Sequence, residues 1–329
     1  MIVAGVDGGA TRTRIVLASD DGTILGAGLA GPTNYDNVGI DEARSNMNRA
    51  LDRAWKSARL TREPVQAIFL GMAGVVSPRD RDTIARMALD IHAAPASGIH
   101  VDHDIRIALA GGLAGMEGAV LIVGTGCSCY GRTADGRSHR TGWGYLLDDL
   151  GSGYYLGLQA MIALTRESDG RGKPTILTPA IRSALGIEDA DEIMRILYHE
   201  NLTVTRIASL APLVLEAASR QDEVASAILR NGAHELSLNV KTVADRLQFS
   251  ASPFLVTIAG GLGETPGIYR QLMCEAIARE NPHCSIVEPK LAPVFGALLL
   301  AMECVGATPS PAMVAGLAEG AAQIAWSAE

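Results

Sequence analysis

The chain has 329 residues, a net charge of −8, 48% hydrophobic residues and 19% charged residues. This length predicts two domains of ordinary size, each with enough apolar residues for a core. The acidic balance argues against a nucleic-acid partner or an anionic membrane surface. No basic and apolar leader precedes the first strand, no apolar run reaches the ~18–20 residues of a bilayer span, and the five cysteines lack framework spacing, so we expect a cytoplasmic protein.

The N-terminal stretch predicts a β-hairpin suited to an anion. Residues 2–6 and 14–17 are predicted strands, joined by Asp7-Gly8-Gly9-Ala10-Thr11-Arg12-Thr13. Glycines permit positive φ and let a bulky anion approach the main chain, and threonine hydroxyls add donors. A carboxylate at the end of a strand can hold hydrated Mg²⁺ beside phosphate oxygens. The alternative is a plain tight turn, because Asp-Gly is the commonest hairpin signal.

The chain then completes one α/β unit and starts the same pattern again. Predicted strands cover residues 24–30, 65–72 and 99–101, and predicted helices cover residues 41–59, 79–92 and 105–113. A strand at 119–123, the turn Gly124-Thr125-Gly126 and a returning strand at 129–133 follow. Both halves therefore give strand, glycine–hydroxyl turn, strand and Asp-Gly turn, which indicates a diverged internal duplication. Two such hairpins facing each other across a cleft could grip a polyphosphate.

The second half is predicted to be richer in helix. Predicted helices cover residues 151–165, 190–198, 204–219, 222–247, about 265–280 and 293–305, and predicted strands cover 255–259 and 285–287. A domain boundary is expected near residues 112–118. The predicted domains are residues 1–115 and 116–311, with a C-terminal helix of about residues 312–329 as a candidate to pack back on the first.

Several common active-site motifs are absent from the sequence. It has no Gly-Lys-Ser/Thr phosphate loop, no G-x-G-x-x-G after a strand, no H-E-x-x-H and no G-x-S-x-G. A bound nucleotide would therefore be held by the hairpins.

Polar residues at strand ends and in glycine-rich loops are the candidates for substrate chemistry. Asp102 and Asp104 end a strand where a helix begins, at the edge that faces the ligand crevice in α/β sheets. Asp104 is predicted to accept a proton from a hydroxyl that attacks phosphorus, and Asp102 to cap the helix. Trp143, between two glycines, suits a sugar face, although burial in the core is the commoner fate of a lone tryptophan. Asp149 and Thr33-Asn34 could hydrogen-bond sugar hydroxyls, although an asparagine in such a loop needs no function.

In this order, the motifs resemble those of the N-acetylglucosamine kinase family, whose relatives include the BadF/BadG/BcrA/BcrD-type ATPases within the superfamily of sugar kinases, actin and heat-shock chaperones. The likeness covers nearly the whole chain. Its carriers are residues 6–13, 31–34, 102–104, 123–126, 142–153, 260–261 and 293–297. The resemblance implies an α/β fold of duplicated actin-like (ribonuclease-H-like) domains around a central nucleotide cleft.

The resemblance also implies an activity and a set of site residues. The activity is ATP- and Mg²⁺-dependent transfer of the γ-phosphoryl group to the 6-hydroxyl of N-acetylglucosamine or a close relative such as glucosamine, in a homodimer. Asp104 is implied as the general base, and Asp7 as the residue that places Mg²⁺ through water. Nucleotide contacts are implied for Asp7, Gly8, Gly9, Thr11, Arg12, Thr125, Gly126, Gly260 and Gly261. Sugar contacts are implied for Asn34, Gly74, Asp104, Thr125, Gly144 and Asp149.

Two departures from the family pattern and two rival functions remain open. Leu150 stands where the family often has an acid, which leaves the sugar open among N-acetylglucosamine, glucosamine, a muramic-type sugar and another hexose. Ala10 stands where many members have glycine, and a methyl group is tolerable there if φ is negative. One rival is an ATPase that activates a radical 2-hydroxyacyl-CoA dehydratase, which needs an iron–sulfur cluster held by thiolates, but Cys127 and Cys129 are predicted to be a small buried pair. The other rival is a non-catalytic sugar sensor.

Overall fold

The protein is described here by a computed structural model that covers residues 1–199, 202–249 and 252–326. The chain divides into two compact units: unit 1 comprises Met1–Glu117 and Glu288–Glu329, and unit 2 comprises Gly118–Val287. Across the described ranges, none of the helices combines the length and the apolar character that crossing a bilayer would require.

Strands and helices alternate along the chain. The strands are β1 Ile2–Gly8, β2 Thr13–Ser19, β3 Ile24–Ala30, β4 Ala67–Met72, β5 Ile99–His103, β6 Gly118–Val123, β7 Cys127–Arg132, β8 Ser138–Thr141, β9 Phe254–Ala259 and β10 Cys284–Val287. The helices are α1 Tyr35–Val38, α2 Ile40–Ala58, α3 Pro78–Asp90, α4 Asp104–Gly112, α5 Gly153–Ser168, α6 Leu177–Leu185, α7 Glu192–His199, α8 Val204–Ala208, α9 Ala211–Ser219, α10 Glu223–Leu247, α11 Gly261–Glu264, α12 Ile268–Glu280, α13 Pro293–Cys304 and α14 Pro311–Ala321.

The sheet of unit 1 has the order β3-β2-β1-β4-β5, with β1, β4 and β5 parallel and the hairpin strands β2 and β3 antiparallel. Successive side chains point to opposite faces of the sheet. Val6 and Leu70 pack on one face with α2 and α3, whereas Val3 and Phe69 pack on the other with α4, α13 and α14. This sheet is therefore buried on both faces, as expected for parallel central strands.

The C-terminal segment returns to unit 1, where α13 packs closely against β1 and α4 at positions occupied by glycine. A Cβ on Gly5 of β1 would overlap the Leu298 backbone, and a Cβ on Gly296 of α13 would overlap the Ile107 carbonyl of α4. Residues 288–329 consequently lie in unit 1, whereas the sequence-based domain of residues 116–311 includes α13 in the second half.

The sheet of unit 2 repeats that of unit 1. Its order is β10-β9-β6-β7-β8, with β6, β9 and β10 parallel and β7 and β8 antiparallel. Read from the opposite edge, β6 corresponds to β1, β7 to β2, β8 to β3, β9 to β4 and β10 to β5. The predicted duplicated α/β fold is confirmed.

The helices of unit 2 differ from the prediction in three places, one of which is the short helix α11, where no helix is predicted. The predicted helix at 204–219 is divided into α8 and α9, because Pro212 lies in the first turn of α9 and cannot continue a preceding helix. Helix α6 was not predicted, since Pro179 lies in its first turns and masks the helical pattern. A single core joins β6, β7 and β9 to the helices around them.

Candidate active site

The turn between β1 and β2 is closed by its own backbone. The Gly9 N–H donates to the Arg12 carbonyl at 2.9 Å, and the Thr33 N–H donates to the Gly9 carbonyl at 3.2 Å. Gly8 is closely packed, because a Cβ there would lie 2.5 Å from the Met72 side chain and the Thr33 hydroxyl, which would have to shift to admit it. Neither glycine of this turn has a positive φ. These two glycines therefore do not use the positive φ that glycine permits, and the structure shows Gly8 in close packing instead.

The residues at the tip of this turn face solvent. Ala10, Thr11 and Arg12 are exposed, and none of them has a positive φ, so the methyl group of Ala10 is accommodated without strain. Thr13 is instead fully buried, and its hydroxyl lies 2.8 Å from the Gly31 carbonyl. Of the two threonines in the motif, Thr11 is the one placed to contact a ligand.

The carboxyl ends of three parallel strands bring two aspartates to one edge of the unit 1 sheet. The register pairs Asp7 with Gly71 and Gly71 with Asp102, and Asp104 follows as the first residue of α4. A Cβ on Gly71 would lie 2.5 Å from the side chain of Ile107, so this glycine lets α4 pack closely on the sheet. Asp7 and Asp104 are thus placed at the same edge of the unit 1 sheet.

Electrostatics show that these two carboxylates act on each other. Burial raises the pKa of Asp7 to about 6; Arg14, whose guanidinium lies 3.8 Å from the carboxylate, lowers it, and the charge of Asp104 raises it. A cation would relieve this repulsion. Mg²⁺ is commonly held by one or two carboxylates with waters and phosphate oxygens, which fits these donors. Among the residues that the structure describes, no three His, Cys, Asp or Glu side chains form a metal-binding group.

Asp102 does not cap α4, and the capping prediction is wrong. The N-cap is His103, whose Nδ1 accepts from the Arg106 N–H at 3.1 Å. The Asp102 carboxylate accepts instead from Arg81 and Arg106, each at 2.8 Å. Burial favours the protonated form of Asp102, but the hydrogen bonds from Arg81 and Arg106, together with the charge and the backbone N–H of His103, outweigh burial and lower the pKa of Asp102. Asp102 is therefore an ion-paired anchor between α3, β5 and α4.

Asn34 and Gly74, both predicted for the sugar site, lie against each other. A Cβ on Gly74 would be 3.0 Å from Oδ1 and 3.2 Å from Nδ2 of Asn34, and Gly74 has φ +87°. Asn34 caps α1, because its side-chain oxygen accepts from the Asp36 N–H at 3.2 Å. The amide oxygen is thus engaged within the loop, and the amide NH₂ group is the part of Asn34 that can donate to a hydroxyl.

Sequence reasoning missed three residues that brace these loops. Tyr35 donates its hydroxyl hydrogen to Asp80 at 2.6 Å, and Asp80 completes a capping box with Ser77 at the start of α3. Arg81, the next residue, pairs with Asp102. The signal for part of this was available, since Ser77-Pro78-Arg79-Asp80 has the Ser-x-x-acid spacing of a capping box.

The second glycine–hydroxyl turn is fastened to the start of α5. The Gly124 carbonyl accepts from the Gly153 N–H at 2.8 Å, and the Thr125 carbonyl accepts from the Tyr154 N–H at 3.0 Å. The Thr125 residue itself is exposed. The turn therefore presents a hydroxyl on a backbone that the first helical N–H groups hold in place.

Asp149 also holds the turn of residues 124–126 in place. Its carboxylate accepts from the Cys127 N–H at 3.0 Å. A Cβ on Gly126 would lie only 2.7 Å from the Oδ2 atom of Asp149. Burial raises the pKa of Asp149, and the Cys127 hydrogen bond lowers it. Gly126 is thus needed for the approach of the carboxylate, and Asp149 is committed in part to holding the hairpin.

The loop before Asp149 exposes large apolar side chains. Trp143 is 72% exposed, so the core alternative for this residue is wrong. Gly144 has φ +80° with open space beside it, and Leu150, which replaces the usual acid, is 38% exposed. This loop therefore offers exposed apolar surface, with open space beside Gly144.

Gly260 and Gly261 begin the short helix α11 directly after β9. Gly260 has φ +90°, and a Cβ there would lie 2.6 Å from the Val123 carbonyl at the end of β6. Gly261 is exposed, with nothing near its missing Cβ. Since β6 and β9 are parallel, these glycines and the Thr125 turn lie at the same edge of the unit 2 sheet.

The repeated five-stranded sheet, with a glycine–hydroxyl hairpin in each copy, defines an α/β protein of the duplicated actin-like class. The chain belongs to the BadF/BadG/BcrA/BcrD ATPase family, whose family model matches residues 4–301.

Similar proteins are described as amino-sugar kinases. The chain is 32% identical over 304 residues to the N-acetylmuramic acid/N-acetylglucosamine kinase of Clostridium acetobutylicum, covering 92% of this chain and 99% of that one. It is 29% identical over 312 residues to the N-acetyl-D-glucosamine kinase of Dictyostelium discoideum, covering 92% and 98%. A structure from Chromobacterium violaceum, solved as a candidate N-acetylglucosamine kinase, has a TM-score of 0.72 at 29% identity, covering 91% of this chain and 98% of that one.

Proposed function

We propose that the protein transfers the γ-phosphoryl group of ATP to the 6-hydroxyl of an amino sugar, N-acetylglucosamine or a close relative. The observation that carries this proposal is the pair of carboxylates, Asp7 and Asp104, at one edge of the unit 1 sheet. One carboxylate can organise the metal of a nucleotide while the other accepts a proton from the attacking hydroxyl. The names of the similar kinases support the same substrate class.

In the proposed reaction, the sugar oxygen forms a bond to the γ-phosphorus as the bond from that phosphorus to the bridging oxygen of ADP breaks. The hydroxyl proton passes to the Asp104 carboxylate, and ADP leaves. Because the transition state of phosphoryl transfer is loose, Asp104 acts mainly by orienting the hydroxyl. Bound Mg²⁺ supplies charge neutralisation at the phosphates, and Asp7 would hold it through water.

We propose the remaining roles from the family resemblance. Phosphate contacts are proposed for Gly8, Gly9, Thr11, Arg12, Thr125 and Gly126, and adenosine-side contacts for Gly260 and Gly261. The Gly9 N–H is already used within its turn, so its contact would be through the Cα surface. Sugar contacts are proposed for Asn34, Gly74, Thr125, Gly144 and Asp149. Of these, Asn34 offers the amide donor described above.

The dehydratase-activator alternative is not favoured by the cysteine positions. A cluster shared by two subunits needs thiolates that face outward from each chain. Cys127 and Cys129 are buried, and burial raises the pKa of both thiols. Among the described cysteines, Cys304 is the exposed one.

The test is ADP release from Mg-ATP with N-acetylglucosamine, glucosamine, N-acetylmannosamine, N-acetylmuramic acid, glucose or buffer alone. We expect release with one or two amino sugars and little release in buffer. Equal release in every condition, with iron bound to the purified protein, would instead support the activator ATPase. Sugar-induced thermal shifts without any ADP release would support a sensor.

Two further proposals follow from the resemblance and from the donor. We propose a homodimer, to be tested by light scattering for a mass about twice the 34.4 kDa of the chain. Because ATP is the phosphoryl donor, we propose that the reaction takes place in the cytoplasm, which cell fractionation would test.

A further inference from the structure

Two consecutive residues near the start of α3 hold two parts of the candidate sugar site in unit 1. One part is the pair of loops that carry Asn34 and Gly74, and the other is the strand end before Asp104. Asp80 reaches toward the loops of Asn34 and Gly74, and Arg81 reaches toward the strand end that precedes Asp104. Neither residue belongs to the motifs that carry the family resemblance. A positioning role for either residue rests on the proposed function.

Asp80 divides its two carboxylate oxygens between two loops. Its Oδ1 accepts from the Tyr35 hydroxyl at 2.6 Å. Its Oδ2 accepts from the backbone N–H groups of Val76 at 3.0 Å and Ser77 at 2.7 Å. Tyr35 follows Asn34 directly, and Val76 lies two residues beyond Gly74. One carboxylate therefore joins the loop that carries Asn34 to the loop that carries Gly74.

The Tyr35–Asp80 bond is stronger than an ordinary contact between neutral groups, because the acceptor is ionised. The bond to Asp80 is also the main cause that raises the pKa of Tyr35 to about 12, so the phenol stays protonated and remains a donor throughout the physiological range.

Arg81 acts on the other side. Its guanidinium lies 2.8 Å from Asp102 Oδ1, while Arg106 lies 2.8 Å from Oδ2. Arg106 belongs to α4, the helix that Asp104 begins. Asp102 is thus held from both sides, two residues before Asp104. Loss of Arg81 would remove the tie between Asp102 and α3 and leave the carboxylate held by Arg106 and the His103 N–H, so the end of β5 could shift relative to α3.

We propose that Tyr35, Asp80 and Arg81 are positioning residues for phosphoryl transfer: Tyr35 and Asp80 set the spacing of Asn34 and Gly74 for sugar binding, and Arg81 sets the position of Asp104 for the chemical step. The two arms predict different kinetic signatures, because one fixes groups that bind the sugar and the other fixes the group that accepts its proton.

For the sugar-binding arm, Tyr35→Phe removes the hydroxyl and keeps the ring. We expect the KM for the sugar to rise about three- to tenfold, as for loss of one hydrogen bond, with the KM for ATP and kcat within twofold of wild type. Tyr198→Phe, at a tyrosine that is 71% exposed, is the matched control and should change neither constant.

For the catalytic arm, Arg81→Gln should lower kcat roughly tenfold or more, since small displacements of a catalytic group are costly, with the sugar KM within twofold. Arg86→Gln is the matched control on the same helix and should leave kcat unchanged. Arg81→Lys, which keeps the charge, should restore part of the loss.

The outcomes separate this inference from the function on which it rests. An active wild type in which Tyr35→Phe keeps the wild-type sugar KM, or Arg81→Gln keeps the wild-type kcat, overturns the corresponding arm. If either variant lowers Tm and changes the KM for sugar and the KM for ATP in parallel, the residue has a merely structural role, and the proposal is overturned too. A folded wild type without activity on any sugar of the panel overturns the proposed function first.

Discussion

Asp7 and Asp104 have the same side chain at the same sheet edge, yet their proposed tasks require different behaviour. Asp104 begins a helix and is partly exposed, so it can meet a hydroxyl. Asp7 lies within β1, where burial raises its pKa to about 6. Each difference leads to a measurement at the level of one side chain.

Replacing Asp104 with asparagine should lower kcat by about 10²–10⁴, the usual contribution of a general base, because an amide cannot accept the proton. Sugar affinity should change little, since the amide keeps the size of the carboxylate. Steady-state kinetics with the preferred sugar would measure both effects. Asp82→Asn on the exposed side of α3 is the control, and a turnover near wild type in Asp104→Asn would remove the residue from this role.

Replacing Asp7 with asparagine should change how stability depends on pH in metal-free buffer. The folded pKa of about 6 exceeds the ordinary aspartate value of 3.8, so the folded state binds this proton more tightly than the unfolded state does. Stability from this group is complete below pH 4 and is lost as pH rises through 6, by up to about 3 kcal/mol. Asp7→Asn should abolish that loss and raise Tm at pH 7 relative to wild type.

Asp21 is the control for this measurement, because its pKa is shifted in the opposite direction to that of Asp7. Hydrogen bonds from Ser19 and Thr23 lower the pKa of Asp21 to about 2, so its contribution is lost as pH falls below 4. Identical pH–Tm profiles for wild type and Asp7→Asn between pH 4 and 7 would contradict the proposed charge burial at Asp7.

At the scale of elements, the crossing of α4 and α13 depends on glycine. Gly296→Ala would force a methyl group against the Ile107 carbonyl and should destabilise the protein by about 1–3 kcal/mol, as overpacking does. It should also lower kcat, because α4 begins at Asp104. Denaturant unfolding and steady-state assays would measure the two effects.

Gly316→Ala in α14 is the counterpart, because nothing lies within 4 Å of its missing Cβ. Alanine is the better helix former there, so this variant should be neutral or stabilising by up to about 1 kcal/mol. Equal effects of the two substitutions would show that the helix crossing is not close-packed in solution.

The sequence predicted elements whose pattern is local. Both glycine hairpins, the repeat and the strand-end position of Asp104 were recognisable because alternating strands and turn residues are neighbours in the chain. Pro212 is a local signal for the break between α8 and α9. The apolar periodicity on both sides of it nevertheless predicts one continuous helix.

The failures in the sequence interpretation arose from contacts distant in sequence. The sequence predicts that Asp102 caps α4, because aspartate is favoured at that position, but its carboxylate forms an ion pair with Arg81 instead. The sequence indicates that glycine at position 8 permits positive φ, whereas the structure shows Gly8 packed against Met72 of the neighbouring strand without a positive φ. The roles of single nucleotide and sugar contacts remain predictions, since no local pattern specifies which donors meet a ligand.

At the scale of the whole molecule, the C-terminal segment is part of the core of unit 1. Leu317 of α14 is fully buried in the same cluster as Val16 and Leu298. A chain that ends after Thr308 should therefore show a lower Tm than the full chain. Leu317→Ala in the full chain should by itself cost about 2–5 kcal/mol, and an unchanged Tm for either variant would contradict this packing.

Ribosomes deliver the chain from its N-terminus, yet β1 needs α13 against Gly5 to complete its packing. The whole of Gly118–Val287 is synthesised in between, which takes roughly 10–35 s at typical elongation rates. Unit 2 is continuous in sequence and can fold during that time, while one face of the nascent N-terminal sheet has only α4 to cover it. The earliest part of this protein to be made is thus the last to be finished.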